Sequence, residues 1–346
     1  MKAAVLVAPK EPLWVTDGIE VPLPGRGQVV VRIAYTGLCH SQLMEVSGLR
    51  GPDPWLPHLL GHEATGRVEM TGADVTKVKP GDAVILSWIR GVGLEAPGAR
   101  YRRGDMIINS GAVTTFSEYT VVSENRCTPL PHKLPMSIGS LLGCAVMTGA
   151  GAVMNAMQPA VNSSIVIFGL GGIGMSALMA ARRSRPAALV AVDVVDSKLS
   201  QADQLGATHT VNAVSEDPVA AIRKICAGGA DFALDASGQT AVIEQAFASV
   251  RPHGGLCVFA SHPAAGEVIR LDPFDLICGK QIRGTWGGDC KPDRDIPLLA
   301  DLYVKNELPL DRLISVEYTL DEINSAMADL RAGKVTRALI RVNPDV

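Results

Sequence analysis

Three short stretches carry residue types suited to metal chemistry: Gly37-Leu38-Cys39-His40-Ser41, Gly61-His62-Glu63 and Gly143-Cys144-Ala145. Two thiolates and an imidazole are the three-ligand set of a catalytic zinc, and they leave a fourth position open for water or substrate. Taken singly, a cysteine is more often a small core residue and a histidine a satisfied polar group. These residues therefore acquire meaning together, and only if the fold makes them converge.

A second stretch, Ser164 to Asp193, suits a dinucleotide. The apolar run Ile165-Val166-Ile167-Phe168 feeds into Gly169-Leu170-Gly171-Gly172-Ile173-Gly174, and a helical run rich in Ala and Met follows, ending before Pro186. A further apolar strand, Leu189 to Val192, closes on Asp193, about 20 residues past the last glycine, as the dinucleotide fingerprint requires. Gly169 permits the tight turn, Gly171 lets backbone approach a pyrophosphate, and Gly174 lets helix and strand pack closely. The free N–H groups of the helix start face the phosphate. A carboxylate at Asp193 accepts bonds from the ribose 2′-hydroxyl and repels a 2′-phosphate, and no Arg follows it. NAD is thus the expected cofactor, rather than NADP.

The elements that must position these residues fall into two patterns. Residues 1 to about 145 show short β runs punctuated by Gly and Pro, at Ala3 to Val7, Val29 to Tyr35, Gly66 to Met70, Ala83 to Ser87 and Ser117 to Val122. They predict a mostly β domain. Helical periodicity then runs from Ser137 through Cys144 and Thr148 to Met157. From there strands are predicted at 165–168, 189–193, 208–212, 231–235, 255–260 and 281–285, with helices at 174–184, 197–205, 218–227, 240–250 and 273–278. That is a doubly wound parallel sheet. The tail leaves this repeat and is expected to return to the first domain. The predicted division is 1–145 completed by 287–346, and 146–286, with the cofactor in the cleft between the two.

At 346 residues the chain exceeds what one core usually fills. A net charge of −3 and 4% aromatic residues argue against nucleic acid as a partner. The cluster Arg100, Arg102 and Arg103 reads as a solvated loop. No stretch has the length and composition of a membrane span, and the apolar run before Pro9 is too short for a signal-peptide core. The seven cysteines include no CxxC pair, which makes reduced, cytoplasmic thiols the expectation.

Together, Gly61-His62-Glu63, Pro80-Gly81-Asp82, Phe116-Ser117-Glu118-Tyr119, the Cys144 region, the glycine loop and Arg337 resemble the zinc-dependent alcohol dehydrogenases of the medium-chain dehydrogenase/reductase superfamily. The likeness runs through nearly the whole chain. It implies an α/β protein, with a GroES-like mostly-β catalytic domain and a Rossmann cofactor domain, that interconverts a primary or secondary alcohol with its aldehyde or ketone. Cys39, His62 and Cys144 would hold one zinc, with Glu63 behind them, and Ser41 would take the hydroxyl proton. His40 and Arg337 would bind the pyrophosphate, Thr148 and Ile173 would pack near the nicotinamide, and Lys198 would lie near the adenosine ribose. Trp88, Ser110, Gly111, His262 and Trp286 would line the substrate pocket. A homodimer or homotetramer is expected. The chemistry is coherent, because zinc lowers the pKa of a bound oxygen from about 16 to about 7, roughly 12 kcal/mol of assistance to proton loss.

Several positions depart from the family pattern. Gln42 replaces the acid that usually orients the ligand histidine, and Met44 replaces a proton-relay histidine, a part for which His262 is the candidate substitute. Ile89 to Val113 contains no cysteine, so no structural zinc is expected and the segment reads as a mobile or interface-held loop. Two alternatives share the scaffold. One is a reductase of C=C or iminium bonds, which the intact Ser41 argues against; the other is an idle NAD-binding protein.

Overall fold

The strand Gln28–Gly37, reading QVVVRIAYTG, is the spine of the first of two units. Its β-branched residues suit a pleated, buried surface, and it pairs antiparallel with Glu63–Thr71, Tyr119–Ser123 and Ala338–Arg341. The computed structural model describes residues 1–343 and 345–346. The first unit comprises Met1–Cys144, Lys291–Asn306 and Leu310–Val346; the second comprises Ala145–Cys290 and Glu307–Pro309.

In the first unit a seven-stranded sheet runs in the order Cys127–Pro129, Ala83–Ser87, Glu63–Thr71, Gln28–Gly37, Ala338–Arg341, Val316–Thr319, with Tyr119–Ser123 also on the spine. A five-stranded sheet is built from Trp14–Thr16, Ala3–Leu6, His58–Leu59, Met106–Asn109 and Arg100–Arg103. The helix His40–Val46 follows the spine directly. Its Leu43 and Val46 share an apolar cluster with Ile323, Met327 and Leu330 of the helix Ile323–Arg331. Each fully buried aliphatic side chain contributes about 1.5–3 kcal/mol, which fixes the short helix and the Ser41 and Gln42 side chains it carries. Seven residues hold too few turns to announce a helix by periodicity, and none was expected here.

The segment from Ile89 to Val113 corrects one expectation. Arg100, Arg102 and Arg103 are exposed, but they lie on a strand of a hairpin with Met106–Asn109 rather than on a solvated loop. Tyr101 and Ile108 are fully buried from it, and the Tyr101 hydroxyl accepts the Val121 N–H at 2.8 Å. Alternation drives the hairpin: Arg100 and Arg102 point to water because Tyr101 points to the core, while Arg103, at the strand end, lies over the Trp14 ring at 4.8 Å. The preceding residues are fastened by charge. The Glu124 carboxylate accepts the N–H groups of Thr76 (2.9 Å), Lys77 (3.1 Å) and Leu94 (2.8 Å), while Asp293 pairs with Lys77 and accepts the Val92 N–H at 2.6 Å.

The second unit contains a six-stranded, all-parallel sheet: Ser164–Phe168, Ala188–Asp193, His209–Asn212, Phe232–Asp235, Leu256–Phe259 and Gln281–Gly284. Numbered along the chain within the unit, these strands lie in the order 3-2-1-4-5-6, that of a dinucleotide-binding fold with a switch point beside the first strand. The observed strands, and the helices Gly172–Arg182, Asp196–Gln204, Pro218–Ile225, Thr240–Ser249 and Pro273–Ile277, agree with the sequence pattern within a few residues. Asp217 and Asp272 cap two of the helices, each followed by Pro at the first helical position. Among the described residues no single helix is long and apolar enough to cross a membrane.

The run from Ser137 to Met157 is not one helix. Met136–Gly139 tightens into a 3-10 turn, Ser140–Gly143, and the chain breaks at Cys144, where φ is −146° and ψ −76°. Ala145–Gly151 is α-helical and Ala152–Met157 widens to a π-helix.

Candidate active site

Each of the three ligand candidates sits where regular structure stops. Cys39 is the N-cap of the helix His40–Val46, in extended conformation. His62 lies between Gly61, at φ +90°, and the strand Glu63–Thr71. Cys144 occupies the break described above. Their ligand atoms all lie within 4.8 Å of one another, with Cys39 and His62 half-buried and Cys144 buried. His62 Nε2 is 3.0 Å from Cys144 Sγ, while its Nδ1 faces the Gln42 amide nitrogen at 2.5 Å and Ser41 Oγ at 3.4 Å.

The electrostatics favour thiolate. The neighbouring Cys144 sulfur, together with His62 and Arg337, outweighs burial and holds the Cys39 thiol well below its usual range. Thiolate is the form that binds metal. Burial depresses Arg337, and Cys39 partly offsets this.

Glu63 and Arg337 form an ion pair with side-chain exposures of 0% and 4%. Room for it comes from two glycines of the opening motifs. A Cβ on Gly37 would collide with the Glu63 carboxylate and come within 3.0 Å of Arg337, and one on Gly143 would lie 2.8 Å from Glu63 Cβ. The motif glycines thus belong to the site as much as the ligands do, a signal present in the sequence whose purpose only the packing reveals. His40, expected with Arg337 on the pyrophosphate, is exposed at the first helical position.

The second unit supplies the dinucleotide features. Gly169 has φ +82°, a Cβ on Gly171 would stand in open space on the approach to the helix, and one on Gly174 would collide with the Gly169 carbonyl. Gly172 begins the helix and Ile173, half-buried, follows. Asp193 ends its strand, accepting the Leu170 N–H at 2.6 Å and the Val194 and Val195 N–H groups at 2.8 and 3.0 Å. Lys198 is half-buried on the next helix. Thr148 is 3% exposed, and among the described residues its buried hydroxyl meets no hydrogen-bond partner. This cradle fits a dinucleotide, and the soft-donor cluster of the first unit fits zinc.

The pocket candidates are less unified. Trp88 is half-buried, and its carbonyl accepts from Arg126. The Ser110 hydroxyl donates to the Ala99 carbonyl at 3.0 Å, and Gly111 is exposed. His262 is exposed with Nδ1 against the Pro263 carbonyl, and Trp286 is 75% exposed.

Comparison with known proteins agrees with this geometry. The family model for the alcohol dehydrogenase GroES-like domain matches residues 25–132, and that for zinc-binding dehydrogenase matches 172–305. The chain is 32% identical to an alcohol dehydrogenase class-3 from Pisum sativum, over 99% of this chain and 97% of that one. Among solved structures, an alcohol dehydrogenase zinc-binding domain protein from Burkholderia ambifaria is 33% identical with a TM-score of 0.90, covering 98% of both chains. Benzyl alcohol dehydrogenase from Acinetobacter calcoaceticus is likewise 33% identical, with a TM-score of 0.89 over 99% of both chains. The chain therefore belongs to the zinc-dependent alcohol dehydrogenase family of the medium-chain dehydrogenase/reductase superfamily.

Proposed function

We propose that this alcohol dehydrogenase uses NAD and a single zinc ion per chain, held by Cys39, His62 and Cys144. The observation that carries the reading is the convergence of those three ligand atoms within 4.8 Å, with Ser41 Oγ on the flank of His62. Bound there, zinc supplies Lewis acidity at the reacting oxygen and NAD supplies the hydride carrier.

The chain's own residues do the rest. Ser41 Oγ takes the proton of the substrate hydroxyl. The Glu63–Arg337 pair balances charge behind the thiolates. Asp193 keeps its bonds to the Leu170, Val194 and Val195 amides and offers its remaining acceptor capacity to the ribose hydroxyls, and Thr148 offers its hydroxyl to the nicotinamide end. The absence of cysteine from Ile89 to Val113, and the polar clasp that holds this segment instead, support one zinc rather than two.

The substrate is a small-molecule alcohol or its carbonyl partner, and the likeness to a benzyl alcohol dehydrogenase puts aromatic primary alcohols first among those to try. A homodimer or homotetramer is supported by the edge strand Gln281–Gly284 and the exposed Phe274, Ile277 and Trp286 beside it in sequence. The cysteines, all without disulfides among the described residues, suit a reducing compartment, which supports a cytoplasmic location.

Elemental analysis combined with NADH absorbance over primary, secondary and cyclic alcohols tests the whole reading. One zinc per chain and NAD-linked turnover are expected. Two tightly bound zinc ions, or reduction of C=C or iminium substrates with no alcohol turnover, would overturn it.

A further inference from the structure

We propose that Gln42 sets how tightly the Cys39-His62-Cys144 site holds its metal, because its one amide oxygen is contested by two N–H donors. The inference rests on the zinc reading above and deepens it. Gln42 is 2% exposed, so water cannot stand in for a missing partner. Its Oε1 accepts the Cys39 backbone N–H at 3.1 Å, and its amide nitrogen meets His62 Nδ1 at 2.5 Å.

His62 Nε2 is the nitrogen turned towards Cys144 Sγ, hence the ligand atom. An imidazole that gives its Nε2 lone pair to a metal carries its proton on Nδ1, and that N–H needs an acceptor. Gln42 can offer one only by turning its amide over, which sets its NH2 group against the Cys39 N–H. Either orientation leaves a donor facing a donor in a buried place. Among the described residues the other group near Nδ1, Ser41 Oγ, is 3.4 Å away, too long for a good bond. The conflict arises only in the metal-binding tautomer of His62, so its cost falls on metal binding and not on the fold. A carboxylate at this position has two acceptor oxygens and removes it.

The test follows zinc release from the purified holoenzyme into excess chelator, read with a colorimetric zinc indicator. Wild type is compared with Gln42→Glu and, in case the longer buried acid prevents folding, with the shorter Gln42→Asp. Release from a carboxylate variant is expected to be about 10–100-fold slower, a gain that a merely structural residue would not give. Release as fast as wild type from the folded carboxylate variants would overturn the proposal. His62→Ala separates the two levels of argument. Zinc retained by that variant would remove the site and the proposal together, whereas zinc lost from it, with no slowing in the carboxylate variants, would overturn the role of Gln42 alone.

Discussion

The Glu63 carboxylate and the Arg337 guanidinium face one another with almost no access to water, at side-chain exposures of 0% and 4%. Arg337 also helps to hold the Cys39 thiol low. Removing one partner leaves a buried charge uncompensated, which costs about 3–5 kcal/mol. Arg337→Ala is expected to lower stability by that amount in urea melts. A loss under 1 kcal/mol would mean that solvent or another cation already serves Glu63.

Removing a metal ligand should act on the first unit and spare the second. Cys39→Ser and His62→Ala are each expected to abolish alcohol oxidation while leaving NADH binding, followed by fluorescence titration, within a few-fold of wild type. Near-normal turnover in a metal-free variant would contradict the assignment.

Cofactor choice hangs on Asp193. Hydrogen bonds to a charged group contribute about 1.5–3 kcal/mol, so Asp193→Gly should weaken NAD by roughly tenfold or more and narrow the gap to NADP. Steady-state comparison of the two cofactors checks this, and a wild type that prefers NADP would refute it.

The clasp around Glu124 gives a pH signature. Burial raises this carboxyl, but the Leu94, Thr76 and Lys77 N–H groups, with the charge of Lys77, outweigh it and hold Glu124 below the ordinary range. A depressed folded value means stability that is fully present above the unfolded pKa of about 4.3 and is lost as pH falls through the folded value. Glu124→Gln is expected to cost about 1–3 kcal/mol at pH 7 and progressively less below pH 4. Melting temperatures of the two proteins should therefore converge in acid. Curves that stay parallel would show that the charge plays no part.

Local chemistry and period were enough for much of this protein. The six parallel strands are covered on both faces and so appear as continuous apolar runs, and each alternates with a helix long enough to show its own period. The glycine loop ending at Asp193 is a local motif, since every residue it needs lies within one strand-helix-strand unit. The three ligand contexts could likewise be picked out by residue type. Tertiary structure decided whatever depends on a distant partner. The strands Trp14–Thr16 and His58–Leu59 are too short to declare themselves and exist because Ala3–Leu6 pairs with both. Arg100 to Arg103 looked like a solvated loop because only the core behind Tyr101 makes the alternation meaningful. The break at Cys144 interrupts a run whose apolar spacing reads as helical from Ser137 to Met157. Gln42 meets His62, and Glu63 meets Arg337, only because the spine strand lies between Glu63–Thr71 and Ala338–Arg341. Helix and strand periods are written in neighbouring residues, whereas a site assembled from strand ends depends on which strands become neighbours, and that is settled by burying the sheet as a whole.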